Sequence, residues 1–263
     1  MKPRALILHA TGTNRDLDAS QALTLAGAEP EIVHINQLRR KEKYWQDYQM
    51  LVIPGGFSYA DALGAGRLFA LDLKVYFAEE VGAFVAQGKP VIGICNGFQA
   101  LVKAGLLPTP PKEQAGRAKG GATLTFNASG HFECRWVRLS PRSHTCLWTR
   151  SLVEAIYCPI AHGEGNFLLA EPAFLEELCA QDQVALVYAG ENGAPAQGAY
   201  PANPNGSVMD IAGVCNPQGN VLGLMPHPED HVLSSQHPQR TRGDWSGSGL
   251  PLFRSGVEYA VQM

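Results

Sequence analysis

The sequence predicts an α/β fold: an open, mostly parallel sheet with helices on both faces and an antiparallel addition in its second half. Three observations carry this. Short apolar runs alternate with helix-period segments through residues 1–105, which is the rhythm of βαβ units. Most of these segments end abruptly at glycine or proline, residues that stop strands and cap helices. From about residue 116 the helices thin out and strand follows strand, as antiparallel pairing allows.

Residues 4–10 (RALILHA) read as a buried strand, and 16–27 as a helix with an acidic start and a glycine stop. A second strand follows at 31–35. A third at 48–53 (YQMLVI) ends at Pro54-Gly55-Gly56. Residues 75–86 (VYFAEEVGAFVA) carry apolar side chains at helical spacing, with Gly88 as the stop. The strand 91–94 runs straight into Cys95, and 96–104 is helical with Gly105 as its cap. Beyond the change of rhythm, 123–127 and 132–139 (FECRWVRL) read as strands joined by a turn around Ser129-Gly130. Further strands are expected at 155–160, 167–170 and 184–189, with a short helix at 173–179. A final pair, 208–215 and 221–224, surrounds the turn Asn216-Pro217-Gln218-Gly219. Residues 234–249, rich in Ser, Gly, Gln and Arg, are expected to be a surface loop before a C-terminal helix at 252–261. With no internal repeat, long linker or charge block, one domain over 1–263 is expected.

The balance of 45% hydrophobic and 17% charged residues is that of an ordinary globular chain. A formal net charge of -3 gives no field to draw in nucleic acid or an anionic membrane, so neither is an expected partner. The apolar run after Arg4 is too short for a signal-peptide core, and no stretch spans a bilayer. A cytoplasmic location is expected. The six cysteines, at 95, 134, 146, 158, 179 and 215, show no Cys-x-x-Cys spacing, so no metal site or disulfide scaffold is expected. Five of them read as free, buried thiols acting as small apolar residues.

Cys95 differs because of its neighbours. Gly93-Ile94-Cys95-Asn96-Gly97 places a cysteine at a strand-to-helix junction with glycine two places either side, the pattern of a nucleophile elbow. There the helix dipole and free N–H groups stabilise a thiolate, and the backbone N–H of Asn96 faces a developing oxyanion. The pattern alone leaves open a buried cysteine between two convenient glycines. His227-Pro228-Glu229 follows another strand end, where sites assemble in open α/β sheets. A histidine there can accept the thiol proton and return it to a leaving amine, with Glu229 fixing its tautomer. Pro54-Gly55-Gly56-Phe57-Ser58, after the third strand, can offer a second oxyanion donor. Ordinary turns remain an alternative for both segments taken singly.

Together these residues resemble the class I (triad) glutamine amidotransferases. Within that family, four longer stretches resemble the glutaminase subunit of phosphoribosylformylglycinamidine synthase: PGGFSYADALGAG (54–66), GICNGFQALVKAGLLP (93–108), IAHGEGNF (160–167) and YPANPNGSVMDIAGVCNPQGNVLGLMPHPE (200–229). The resemblance implies a flavodoxin-like sheet, Cys95 as nucleophile, His227 as base and acid, Glu229 as orienter, and oxyanion donors at Gly56 and Asn96. Phe57, Ser58 and Gln99 are expected to line glutamine, and His162 and Glu164 to face the active site or the subunit interface. It further implies ammonia delivery to a synthetase subunit that uses ATP and Mg²⁺ on formylglycinamide ribonucleotide, with a small bridging subunit between them. This chain holds no Walker loop, so no cofactor of its own is expected.

There are departures from the family. Ala60, Ala62 and Gly64 stand where the pattern usually has glycine, tyrosine and arginine, which puts a contact near the glutamine pocket or the partner in question. Extra length around 109–160 and 234–250 points to an altered partner interface. A cysteine peptidase or stress hydrolase usually carries its histidine directly after the cysteine, where this chain has Asn96. A non-catalytic regulatory subunit would have lost Cys95, His227 or Glu229. A glutaminase for another acceptor is the remaining alternative, and the 160–167 and 202–207 stretches argue for the purine step.

Overall fold

The computed structural model describes residues 1–108, 121–243 and 245–263. The 109–120 part of the extra segment expected at 109–160 lies outside the described residues. The first half alternates as the sequence rhythm requires: β1 (Arg4–His9), α1 (Asp16–Ala26), β2 (Glu29–His34), α2 (Ile35–Arg39), β3 (Met50–Ile53), α3 (Arg67–Tyr76), α4 (Ala78–Ala86), β4 (Val91–Ile94) and α5 (Asn96–Ala104). The second half is β5 (Ala122–Thr125), β6 (Glu133–Pro141), β7 (Ile156–His162), β8 (Asn166–Leu169), α6 (Pro172–Ala180), β9 (Val184–Ala189), β10 (Ile211–Cys215), β11 (Val221–Leu224) and α7 (Leu250–Gln262).

Nine strands form one sheet in the order β2-β1-β3-β4-β11-β10-β9-β6-β7. The five from β2 to β11 are mutually parallel, and the rest are antiparallel additions. Every residue of β3, β4, β10 and β11 is buried, as central strands covered on both faces must be, and this explains their unbroken apolar runs. The carboxyl ends of β1, β3, β4 and β11 share one edge of the parallel half.

Several elements depart from the sequence reading. The helix expected at 75–86 is the end of α3 plus α4. They meet at Phe77, which leaves helical geometry and is buried 5.4 Å from the ring of Trp45. The start of α3 was hidden behind the glycine-rich run ending at Gly66, where φ is 69°. The turn at Ser129-Gly130 does not make a hairpin. β5 pairs with β8 in a separate ribbon, while β6 joins the main sheet between β9 and β7. The strand expected from 208 begins at Ile211, because Asp210 is turned inward to accept N–H bonds from Gln197 (2.6 Å) and Gly198 (2.8 Å). Residues 234–249 are not wholly a surface loop: His237 is buried and stacks on Trp245, ring centroids 3.7 Å apart. Among the cysteines, 134 and 179 are exposed rather than buried. No helix among the described residues is long and apolar enough to cross a membrane.

Candidate active site

β4 delivers Cys95 at the head of α5 with φ 49° and ψ −104°, a conformation costly for a residue with a side chain. The flanking glycines are sterically required. A β-carbon at Gly93 would sit 2.4 Å from Leu101 Cδ1, and one at Gly97 only 1.9 Å from the carbonyl oxygen of Ile53. The Cys95 N–H donates to the Leu224 carbonyl at 2.8 Å, which ties the elbow to β11. Its sulfur lies 3.8 Å from the Ala161 carbonyl at the end of β7.

The pairing of β4 with β11 sets the base in place. Leu224 sits opposite Ile94, so three residues further on His227 stands beside Cys95, its N–H donating to the Pro159 carbonyl at 2.8 Å. His227 Nδ1 is 2.7 Å from Glu229 Oε1, and the two residues are only 3% and 1% exposed. Burial opposes charge on the imidazole. The Glu229 carboxylate and the Cys95 sulfur overcome it and hold His227 well above the ordinary histidine range. A buried imidazolium flanked by carboxylate and sulfur is what a thiol nucleophile needs from its base. Gly55 completes the floor: a β-carbon there would be 2.7 Å from His227 Cε1 and 3.4 Å from Cys95 Cβ. Cys95, His227 and Glu229 are thus brought together as expected.

Gly56 follows with φ 132°, wedged so closely that a β-carbon would lie 2.7 Å from the Asn14 nitrogen. At the head of α5 the N–H of Asn96 has no intrahelical acceptor, by helix geometry. The Asn96 side chain is a latch. Its Oδ1 accepts from Ser58 Oγ (2.6 Å) and the Ser58 N–H (3.2 Å), and its Nδ2 donates to Asp61 and to Gln99 Oε1, both at 3.1 Å. Gln99 Nε2 then donates to the Glu164 carbonyl at 2.7 Å. The side chains of Ser58 and Gln99 are therefore buried in this network, whereas Phe57 is 44% exposed.

Glu164 accepts from the Ala65 N–H at 3.2 Å and lies 3.7 Å from Lys103 Nζ. Gly64, which stands where the family pattern has arginine, faces this carboxylate, and Lys103 is the cation that serves it. His162 is buried, and burial followed by the charge of His227 lowers its pKa to about 3. Its Nδ1 lies 3.1 Å from Asn127 Oδ1. The Asn127 amide is oriented by its Nδ2, which donates to the His131 (2.9 Å) and His162 (2.8 Å) carbonyls. The proton therefore sits on His162 Nδ1, and Nε2 has no hydrogen-bond partner among the described residues.

Four contributors escaped the sequence reading: Gly55 as a steric floor, Asn127 as the setter of the His162 tautomer, and the pair Arg15 and Asp230 behind the triad. Asp230 directly follows Glu229, and that adjacency was the available signal. One atom each of His227, Glu229 and Asp230 lie within 4.8 Å of one another. Two ion pairs run through the cluster, His227 Nδ1 with Glu229 Oε1 and Asp230 Oδ2 with Arg15.

The profile of the CobB/CobQ-like glutamine amidotransferase domain matches residues 2–260. A protein of Treponema denticola named phosphoribosylformylglycinamidine synthase subunit PurQ is 57% identical, over 99% of this chain and 100% of the relative. The PurQ of Dehalococcoides mccartyi is 43% identical, over 100% and 99%. The chain belongs to the PurQ family of glutamine amidotransferases. Both relatives are matched nearly end to end, so their overall length is close to that of this chain. Among solved structures, PurLQS from Thermotoga maritima superposes with a TM-score of 0.74 at 33% identity, covering 98% of this chain and 99% of the other. A second glutamine amidotransferase from T. maritima, at 16% identity and a TM-score of 0.58, shares the fold. The mostly parallel sheet is that of the class I enzymes.

Proposed function

We propose that this chain is the glutaminase of a phosphoribosylformylglycinamidine synthase and that Cys95, His227 and Glu229 carry out its chemistry. The supporting observation is the buried Glu229–His227 pair beside a strained cysteine at the head of α5. The Cys95 thiolate attacks the amide carbon of glutamine, and the N–H groups of Gly56 and Asn96 receive the oxyanion. His227 passes its proton to the amide nitrogen, the C–N bond breaks and ammonia leaves. His227 then takes a proton from water, whose oxygen attacks the γ-glutamyl thioester. Glutamate departs and the sulfur is restored. Phe57 is read as lining glutamine, and His162 and Glu164 as facing the active site or the subunit interface, while Ser58 and Gln99 act through Asn96.

Ammonia is delivered to a synthetase subunit that consumes ATP and Mg²⁺ and converts formylglycinamide ribonucleotide to formylglycinamidine ribonucleotide, with a small bridging subunit completing the assembly. The chain itself is read as needing no cofactor and working in the cytoplasm. The test mixes the chain with synthetase, bridging subunit, ATP and formylglycinamide ribonucleotide and follows glutamate release. Cys95→Ala should abolish glutamine-dependent synthesis and leave ammonia-dependent synthesis intact. Glutamate release retained in that variant would refute the assignment.

A further inference from the structure

Behind the triad lies a second charged pair that the mechanism does not use. Arg15, immediately before α1, reaches the Asp230 carboxylate and lies 3.1 Å from Asp18. The Asp230 side chain is 13% exposed, and its carboxylate crowds that of Glu229, whose Oε2 has no hydrogen-bond partner among the described residues. Two carboxylates this close cannot both be ionised cheaply in a buried setting. Burial and then the Glu229 charge raise Asp230 to about 6, against the pull of His227 and Arg15. Among the described residues, the other surroundings offer no alternative cation. β7 presents the buried thiol of Cys158, the turn itself adds the lowered histidine His231, and the buried face of α7 is apolar (Leu252, Phe253, Gly256, Val257 and Ala260).

We propose that Arg15 is a positioning residue for the triad: by pairing with Asp230 it offsets a second negative charge behind Glu229 and fastens the turn carrying His227 to α1. The proposal rests on the glutaminase reading given above. Without Arg15, at a pH high enough to ionise Asp230, two carboxylates with no guanidinium beside them act on His227 and the imidazolium is over-stabilised. It becomes a weaker acid toward the leaving ammonia and needs a higher pH before it can act as base on the thioester.

The experiment measures glutamate release by the full complex, with ATP and formylglycinamide ribonucleotide, across pH. Arg15→Gln should move the acid limb of kcat upward by about one pH unit, leaving KM for glutamine within about twofold. Asp230→Asn, nearly isosteric, should move the limb the opposite way. The double variant should return it close to wild type, and Arg15→Lys should keep most of the wild-type profile. Limbs that stay in place in both single variants, with activity tracking only the folded fraction, would overturn the proposal. That outcome is distinct from failure of the glutaminase reading, which shows as glutamate release by the Cys95→Ala complex.

Discussion

Replacing Gly55 with alanine isolates the geometry of the triad from its chemistry, since Cys95, His227 and Glu229 are all retained. The added carbon would lie 2.7 Å from His227 Cε1, whereas ordinary contact begins at 3.4 Å. The backbone at Gly55 does not need a positive φ, so the strain falls on the imidazole. His227 is held by Glu229 on one side and by its own N–H on the Pro159 carbonyl, and it must yield by about 0.7 Å to reach ordinary contact. A displacement near 1 Å in a reacting constellation costs about 10²-fold in rate. Gly55→Ala is therefore expected to lose about 10- to 100-fold in kcat for glutamate release. The accompanying stability loss is about 1–3 kcal/mol, as for other overpacked sites. The assay is glutamate release by the reconstituted complex beside ammonia-dependent synthesis, which should not change, with a thermal melt to count folded protein. A folded variant within twofold of wild-type kcat would refute the claim that the triad is sterically floored.

Glu229→Gln keeps the size of the side chain but removes the charge that holds His227 protonated. Loss of about 10³- to 10⁴-fold in kcat is expected, with ammonia-dependent synthesis preserved; a loss below tenfold would remove Glu229 from the mechanism. His162 gives a prediction for stability against pH. Its folded pKa is about 3, so below about pH 6.5 the unfolded chain binds a proton that the folded chain refuses. Acidification through that window should cost about 1.4 kcal/mol per pH unit from this residue alone. Urea unfolding at several pH values should show that slope flattened in His162→Gln, and an unchanged slope would mean the ring is not held neutral.

The parallel half of the fold was legible because its strands are buried on both faces and their ends are punctuated by Gly27, Pro54, Gly88 and Gly105. Where burial is one-sided, the sequence carried less. β5 and β6 read as a hairpin because the Ser129-Gly130 turn lies between them, yet their partners, β8 for one and β7 with β9 for the other, are chosen by long-range packing. The break at Phe77 was invisible because its cause, the Trp45 ring, comes from 32 residues upstream. The placement of Cys95, His227 and Glu229 side by side was legible, since each stands at or just beyond a glycine- or proline-marked strand end. The roles of Ser58 and Gln99 were not. A polar residue looks the same in sequence whether it faces substrate or, as here, a neighbouring amide. Arg15 lies far from Asp230 in the chain, and only the packing of α1 against the 228–231 turn joins them.

β11 is the last of the described strands to be made, yet it sits in the middle of the sheet between β4 and β10. A chain growing on the ribosome therefore carries Cys95 for on the order of ten seconds, at typical synthesis rates, before His227 is made. Until β11 is made, nothing links the parallel strands β2 to β4 to the antiparallel strands β10 to β7, and the sulfur has no His227 beside it. Insertion of β11 joins the halves, supplies the Leu224 carbonyl that pins the elbow, and brings the imidazole to the sulfur in one event. The chemistry proposed for Cys95 therefore cannot begin before His227 has been made.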